Sequence, residues 1–132
     1  MCKECCVARI LCVDDDTEII RLKRLIFEQA GHSITACTNA ADAMRILQTQ
    51  DFDVIVTDWR LGQDSGRSIV QAARQLARST VPVLVVSGYV DEAFQAAEPL
   101  ADLYLEKPAD PRELLQVLEA LLQARPAAAP AE

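Results

Sequence analysis

The chain has 132 residues, of which 51% are hydrophobic and 5% aromatic, and its formal net charge is −7. This length suits one domain with a core of aliphatic side chains. The negative charge argues against direct binding to nucleic acid or to an anionic membrane surface, because both need basic patches. No apolar run is long enough to span a bilayer, and no secretory signal is recognisable, so we expect a cytoplasmic protein.

Short apolar runs alternate with helical patterns, beginning with a predicted strand at residues 10–13 that ends in three aspartates. Four apolar residues then recur at helical spacing, interleaved with charged residues such as Lys23, and predict the apolar stripe of a first helix. That stripe consists of Ile19, Leu22, Ile26 and Ala30. Asp16 or Thr17 can cap the start of this helix, and Gly31 can close its end.

The alternation continues through the middle of the chain. A more polar strand is predicted at residues 33–37, and Asn39 can cap a second helix after it. A third strand at residues 54–56 leads to Asp58, and a turn-rich loop at residues 61–66 precedes a third helix. The inward residues of that helix lie between positions 69 and 76.

The last part of the chain adds two further strands, predicted at residues 83–86 and 103–105. A short helix is predicted between them, at about residues 91–97, because Pro99 disfavours its continuation. Pro111 suits the first turn of a final helix, whose leucines between positions 114 and 122 form its apolar side.

Five strand–helix units in succession predict an α/β fold with a parallel sheet and helices on both faces. Strands one, three and four are almost entirely Val, Ile or Leu, as expected for strands covered on both faces. Strands two and five carry polar residues and suit the edges. We therefore predict a doubly wound, flavodoxin-like sheet with strand order 2-1-3-4-5.

Polar or charged residues end the predicted strands. Strand one ends in Asp14 and Asp15, strand three in Asp58 and strand four in Ser87, and Lys107 lies just beyond strand five. Strands one and three are neighbours in the predicted order, so the three carboxylates should meet at the edge where such sheets bind ligands. Carboxylates this close need counter-charges, which Mg²⁺ among them and Lys107 opposite can supply.

This arrangement predicts phosphoryl-transfer chemistry. With a divalent cation neutralising the site, Asp58 is available as an oxygen nucleophile. Ser87 and Lys107 suit phosphoryl oxygens, by hydroxyl donation and by charge respectively. Mg²⁺ is the expected ion, and Mn²⁺ is the alternative.

Four segments of the chain carry a family resemblance: residues 10–15 (ILCVDD), 53–58 (DVIVTD), 83–87 (VLVVS) and 106–108 (EKP). Each lies at a predicted strand end, and together, in this order and spacing, they form a specific signature. On these segments the chain resembles the receiver domain of two-component response regulators, over about residues 9–124.

The resemblance implies a role for each matching position. Asp14 and Asp15 correspond to the acidic metal-binding pair, and Asp58 to the phosphoacceptor. The backbone carbonyl of Arg60 corresponds to the third protein ligand of the metal.

The resemblance also implies a set of switch residues. Ser87 corresponds to the hydroxyl switch residue and Lys107 to the invariant lysine. Tyr104 stands where the family often has a rotameric aromatic switch, and Pro108 would follow a cis peptide bond.

The resemblance divides the chain into three parts. We expect a flexible, cysteine-containing N-terminus at residues 1–8, the receiver domain at residues 9–124, and a disordered Pro/Ala tail or linker start at residues 125–132. The odd number of cysteines predicts reduced thiols. Cys2, Cys5 and Cys6 fall short of a closed zinc site, and Cys12 is expected in the core.

The predicted function is a phosphoacceptor switch with self-catalysed phosphotransfer and autodephosphorylation only. Its expected partners are a sensor histidine kinase or histidine phosphotransfer protein, and downstream a protein target or an effector domain, without direct nucleic-acid or membrane binding. A receiver-like interaction module that works without phosphorylation is the alternative. A flavodoxin-like small-ligand binder is a further rival, but Asp14 to Asp16 stand where it should carry a Ser/Thr/Gly-rich phosphate loop.

Overall fold

The computed structural model describes residues 8–61, 64–75, 81–87, 103–106 and 110–124. In chain order the described elements are β1 Arg9–Val13, α1 Thr17–Gln29, β2 Ser33–Cys37, α2 Ala40–Leu47, β3 Val54–Asp58, β4 Arg60–Leu61, β5 Asp64–Ser65, α3 Gly66–Arg74, β6 Val83–Ser87, β7 Leu103–Glu106 and α4 Pro111–Ala124. The five predicted strands are all present, each within two residues of its predicted ends.

The central sheet has five parallel strands in the order β2-β1-β3-β6-β7. Counted along the chain without the two short strands β4 and β5, this is the predicted order 2-1-3-4-5. The flavodoxin-like fold class is therefore confirmed. The apolar strands β1, β3 and β6 occupy the centre, because their side chains are covered on both faces of the sheet.

Two apolar clusters cover the two faces of the sheet. One contains Leu11 and Val13 of β1 together with buried residues of α2 and α3. The other contains Ile10 and Cys12 of β1 together with Phe27 of α1 and buried leucines of α4. Alternate β1 side chains thus enter opposite clusters, as the period of two along a strand requires. Helices therefore cover both faces of the sheet, α2 and α3 on one and α1 and α4 on the other.

The inward face of α1 differs from the predicted one. The buried residues of this helix are Ile20, Lys23 and Phe27, whereas Ile19 and Leu22 are 37% and 43% exposed. Of the predicted stripe, Ile26 is partly buried and packs against the core, whereas its other members are exposed. The buried face is therefore shifted from the predicted one. The buried residues of α1 also have helical spacing, at i, i+3 and i+7, but the middle one is a lysine. A search for hydrophobic periodicity does not identify a buried face that contains a charged residue.

The predicted caps of α1 and the predicted N-cap of α2 are confirmed by their contacts and backbone geometry. The Asp16 side chain accepts hydrogen bonds from the backbone N–H groups of Glu18 (3.0 Å) and Ile19 (3.3 Å) at the start of α1. Gly31 follows α1 with a positive φ of 96°, the region that favours glycine. Asn39 caps α2 through a 2.8 Å hydrogen bond from the backbone of Asp42.

The segment after β3 contains a small hairpin that the sequence did not predict. β4 and β5 pair antiparallel, with Arg60 opposite Ser65 and Leu61 opposite Asp64. The short helix predicted at residues 91–97, the predicted tail at 125–132, and residues 1–7 of the predicted N-terminal segment 1–8 lie outside the described residues. Among the described helices, none combines the length and the apolar character that crossing a membrane requires.

Candidate functional site

Three carboxylates meet at the carboxyl end of the sheet. Asp14 and Asp15 follow β1, Asp58 ends the neighbouring strand β3, and one oxygen from each lies within 4.8 Å of the others. Asp14 and Asp58 are only 1% and 3% exposed, whereas Asp15 is exposed. The structure therefore brings together three of the residues that the sequence marked as a site. Parallel pairing of β1 with β3 is the cause, since it places their carboxyl ends side by side.

Both oxygens of Asp14 are engaged by neighbouring donors. Oδ1 accepts a hydrogen bond from the backbone N–H of Asp16 at 2.9 Å, and Oδ2 lies 3.3 Å from Nζ of Lys23. Lys23 was placed by sequence among the interleaved charged residues of α1 and was not assigned to the site. The sequence feature that could have indicated its role is its helical spacing from Ile20 and Phe27. This spacing is informative only once those two residues are known to form the buried face of α1.

The charges at the site fit a hard divalent cation. Three carboxylates meet here, and the described buried lysine, Lys23, is paired with one of them, Asp14. A divalent cation among the carboxylates would add positive charge to this acidic cluster. Carboxylate oxygens are the ligands that Mg²⁺ prefers, and exposed Asp15 leaves the cluster open to solvent. The donor set therefore suits Mg²⁺.

The nearby thiol of Cys12 does not add a soft ligand to this set. Burial raises its pKa from 9.0 to about 11, assisted by the charges of Asp14 and Asp58 and opposed by Lys23. The thiol therefore keeps its proton at neutral pH, and metal binding through sulfur requires the thiolate. The site is an oxygen site.

Comparison with known proteins identifies the family. The family model described as "Response regulator receiver domain" matches residues 10–119. The chain belongs to this family. As a receiver domain it is a signalling switch of two-component systems rather than a classical enzyme.

Individual relatives agree with the family match. The alginate biosynthesis transcriptional regulatory protein AlgB of Pseudomonas putida is 36% identical over 107 residues, which cover 80% of this chain and 24% of AlgB. A CheY-like receiver domain protein from Methanospirillum hungatei JF-1 superimposes with a TM-score of 0.82 at 27% identity, covering 90% of this chain and 96% of that one.

A third relative was solved with ligands. It is a response regulator from Burkholderia pseudomallei with a phosphorylated aspartic acid, a calcium ion and citrate, at 28% identity and a TM-score of 0.74, covering 92% of this chain and 74% of that one. The receiver chain spans between 24% and 51% of the length of its first curated relatives.

Three other predicted site residues of the receiver domain lie on described strands. Ser87 ends β6 directly after Val86, which is in register with Asp58. Tyr104 of β7 is half-buried and packs against the cluster beneath α2 and α3. The backbone of Arg60 begins β4, two residues after Asp58. Their functional roles remain predictions, and Lys107 and Pro108 lie outside the described residues.

Trp59, which follows Asp58, is the single tryptophan of the receiver domain. It is buried in the cluster beneath α2 and α3, and its backbone N–H donates to the carbonyl of Val86 at 3.1 Å. The indole therefore packs in the core. A single buried indole that directly follows Asp58 in the chain provides an intrinsic fluorescence probe for the site.

His32 is a buried polar residue at the opposite end of the sheet. Its Nδ1 accepts a hydrogen bond from the backbone N–H of Ala8 at 3.1 Å, so Nε2 carries the proton and donates to Oε2 of Glu119 at 3.0 Å. The histidine thus connects the start of β1 to α4. No sequence signal indicated this contact, because its two partners are 24 and 87 residues away.

Proposed function

We propose that this receiver domain accepts a phosphoryl group on Asp58 from a phosphohistidine, carried by a sensor histidine kinase or a histidine phosphotransfer protein. The observation that supports this most strongly is the cluster of Asp14, Asp15 and Asp58, with carboxylate oxygens within 4.8 Å at the carboxyl end of the sheet. The phosphorylated aspartic acid of the Burkholderia relative agrees with this assignment.

The transfer exchanges one phosphorus bond for another. A carboxylate oxygen of Asp58 forms a bond to phosphorus as the bond between phosphorus and the donor imidazole nitrogen breaks, and the electron pair of that bond returns to the nitrogen. With a proton already on the other ring nitrogen of the donor, the imidazole leaves in its neutral form. Burial of Asp58 holds the acceptor in one position. Autodephosphorylation is the same exchange with water, which releases inorganic phosphate and restores the carboxylate.

The reaction requires a divalent cation, which we propose is Mg²⁺. Asp14, Asp15, Asp58 and the backbone carbonyl of Arg60 would hold it, and Mn²⁺ is the alternative because it accepts the same oxygen ligands. When bound, the ion supplies positive charge that offsets the charge of the transferring group. Ser87 and Lys107 would bind the phosphoryl oxygens, and Lys107 would be followed by the cis peptide bond of Pro108.

The output is a change of the partner-binding surface. Phosphoryl charge on Asp58 would draw Ser87 and Lys107 towards it, and Tyr104 would follow, which shifts the population between two surfaces. The target is a downstream protein or an effector domain. Some curated relatives are transcriptional regulators several times longer than this segment. For residues 9–124 themselves we propose a cytoplasmic unit without direct nucleic-acid contacts, because the net charge of the chain is −7.

A phosphorylation assay with intact-mass readout tests this proposal. The protein is incubated with acetyl phosphate and Mg²⁺, alongside Asp58→Asn and the control Asp51→Asn, which removes an exposed carboxylate elsewhere. We expect one phosphoryl group on wild type and on the control, none on Asp58→Asn, and none with EDTA. Absence of transfer to folded wild type from both acetyl phosphate and a phosphohistidine donor would instead favour the phosphorylation-independent interaction module.

A further inference from the structure

Lys23 is a buried cation whose ammonium group is paired with the carboxylate of Asp14. It is only 4% exposed and lies on the inward face of α1 between Ile20 and Phe27. Lysine is almost never fully buried unless it is paired. Here its Nζ atom lies 3.3 Å from Oδ2 of Asp14, itself 1% exposed. The pair is therefore shielded from solvent and from salt.

The adjacent residue Arg24 provides an internal comparison. Its guanidinium lies 3.5 Å from Glu28, at a similar distance, but both side chains are about half exposed. Such a surface pair contributes little, because water and salt screen it. The two neighbouring cations of α1 thus have the same charge and different surroundings, and only Lys23 acts on the acidic cluster at short range.

The ammonium group of Lys23 and a bound divalent cation would compete for the carboxylate of Asp14. Oδ2 of Asp14 faces the ammonium group, and Oδ1 already accepts the backbone N–H of Asp16. A divalent cation bound to Asp14 would therefore stand close to a positive charge. Without the cation, the same ammonium offsets part of the repulsion among the three carboxylates.

We propose that Lys23 is a resident counter-ion of Asp14 that stabilises the metal-free receiver domain and weakens its Mg²⁺ binding. Lys23 is in this sense an affinity-setting residue that acts through Asp14. The inference rests on the proposed Mg²⁺ site, and it concerns the affinity of that site rather than its existence.

The expected size of the effect follows from Coulomb's law. A single positive charge about 5 Å from a divalent cation opposes its binding by about tenfold even at the dielectric constant of water, and by more in a shielded site. A replacement of similar size without charge, Lys23→Met, should therefore raise the affinity for Mg²⁺ at least about tenfold. Lys23→Arg, which keeps the charge, should bind Mg²⁺ within about threefold of wild type, because the Coulomb repulsion is retained.

Fluorescence of Trp59 during Mg²⁺ titration measures these affinities directly. The series contains wild type, Lys23→Met, Lys23→Gln, Lys23→Arg and the matched control Arg24→Met, which removes the same charge from the exposed face of the same helix. We expect tighter binding for the two uncharged variants at position 23 only. Equal affinities for Lys23→Met and Arg24→Met would overturn the inference while leaving the proposed metal site intact.

Chemical unfolding supplies the second readout. In EDTA, Lys23→Met should unfold at lower urea than Arg24→Met, and saturating Mg²⁺ should stabilise it more than wild type, because tighter ligands stabilise the folded state more. If Lys23→Met and Arg24→Met unfold at the same urea concentration in EDTA, the counter-ion role is contradicted. Failure of wild type itself to bind Mg²⁺ would reject the proposed function together with this inference.

A measurement on the wild type remains available if both uncharged variants fail to fold. The chain has three lysines, Lys3, Lys23 and Lys107, so their side-chain NMR signals are readily assigned. Mg²⁺ should shift the Lys23 signals as the cation enters the Asp14 site. Lys23 signals that stay fixed at saturating Mg²⁺ would overturn the inference.

Discussion

Neutralising Asp58 should stabilise the metal-free receiver domain while removing its proposed function. Asp58 is almost completely buried, and its carboxylate lies within 4.8 Å of those of Asp14 and Asp15. Asn has nearly the same shape as Asp and carries no charge. Asp58→Asn therefore removes both the desolvation of a buried charge and its repulsion from two like charges.

The magnitude follows from the separation of the carboxylates. Two unit charges 4.8 Å apart repel by about 1 kcal/mol in water and by about 3.5 kcal/mol at an effective dielectric constant of about 20. The exposed position of Asp15 favours the lower value, and Lys23 offsets part of the charge of Asp14. We therefore expect Asp58→Asn to raise the free energy of unfolding by about 1–3 kcal/mol in EDTA.

Urea unfolding with EDTA and with saturating Mg²⁺ measures this change. Mg²⁺ should stabilise wild type more than Asp58→Asn, because the variant lacks a carboxylate ligand, so the advantage of the variant should shrink when Mg²⁺ is added. Asp51→Asn corrects for the general effect of reducing the net charge by one. A variant no more stable than Asp51→Asn in EDTA would refute the reasoning that the three carboxylates repel one another in the metal-free fold.

Three further predictions concern stability and do not depend on metal binding, and each is measured by urea unfolding. Burial raises the pKa of Cys12 to about 11, so the unfolded thiol loses its proton before the folded one does, and the free energy of unfolding should fall by up to about 3 kcal/mol as pH rises from about 9 to about 11. Cys12→Ala should reduce this decrease in the free energy of unfolding with pH, and an unchanged decrease would contradict the raised pKa of Cys12. Glu119→Ala should cost about 1–2 kcal/mol by leaving the buried His32 without its acceptor, whereas Glu119→Gln, which keeps an acceptor oxygen, should cost clearly less. Asp16→Ala should cost about 1 kcal/mol through loss of the α1 cap, and stability equal to wild type would show that the cap contributes nothing.

The strand order was predictable because strands that are buried on both faces consist almost entirely of aliphatic residues. The central strands β1, β3 and β6 are nearly pure aliphatic runs, and the edge strands β2 and β7 carry Ser33, Thr35 and Tyr104. Parallel topology then places the carboxyl ends of β1 and β3 together. For the same reason the meeting of Asp14, Asp15 and Asp58 could be predicted without coordinates.

The face of α1 and the contacts of buried polar residues were not predictable. Two helical stripes compete on α1, and the one without a charge, containing Ile19 and Leu22, looks more apolar than the one that packs. The stripe with Lys23 packs because Asp14 satisfies the ammonium, and this partner comes from the fold rather than from local sequence. His32 is a similar case, since its partners come from distant parts of the chain.

The central claim is that Asp58 carries the phosphoryl group, and locating that group tests it most directly. Wild type would be phosphorylated with a phosphohistidine donor and Mg²⁺, and its acyl phosphate reduced with borohydride, which converts a phosphorylated aspartate to homoserine. Fragment mass spectrometry then identifies the modified residue. Homoserine at position 58 is the predicted result. Modification at Asp14 or Asp15 instead, or a phosphoryl group stable to borohydride on a hydroxyl side chain, would contradict the account.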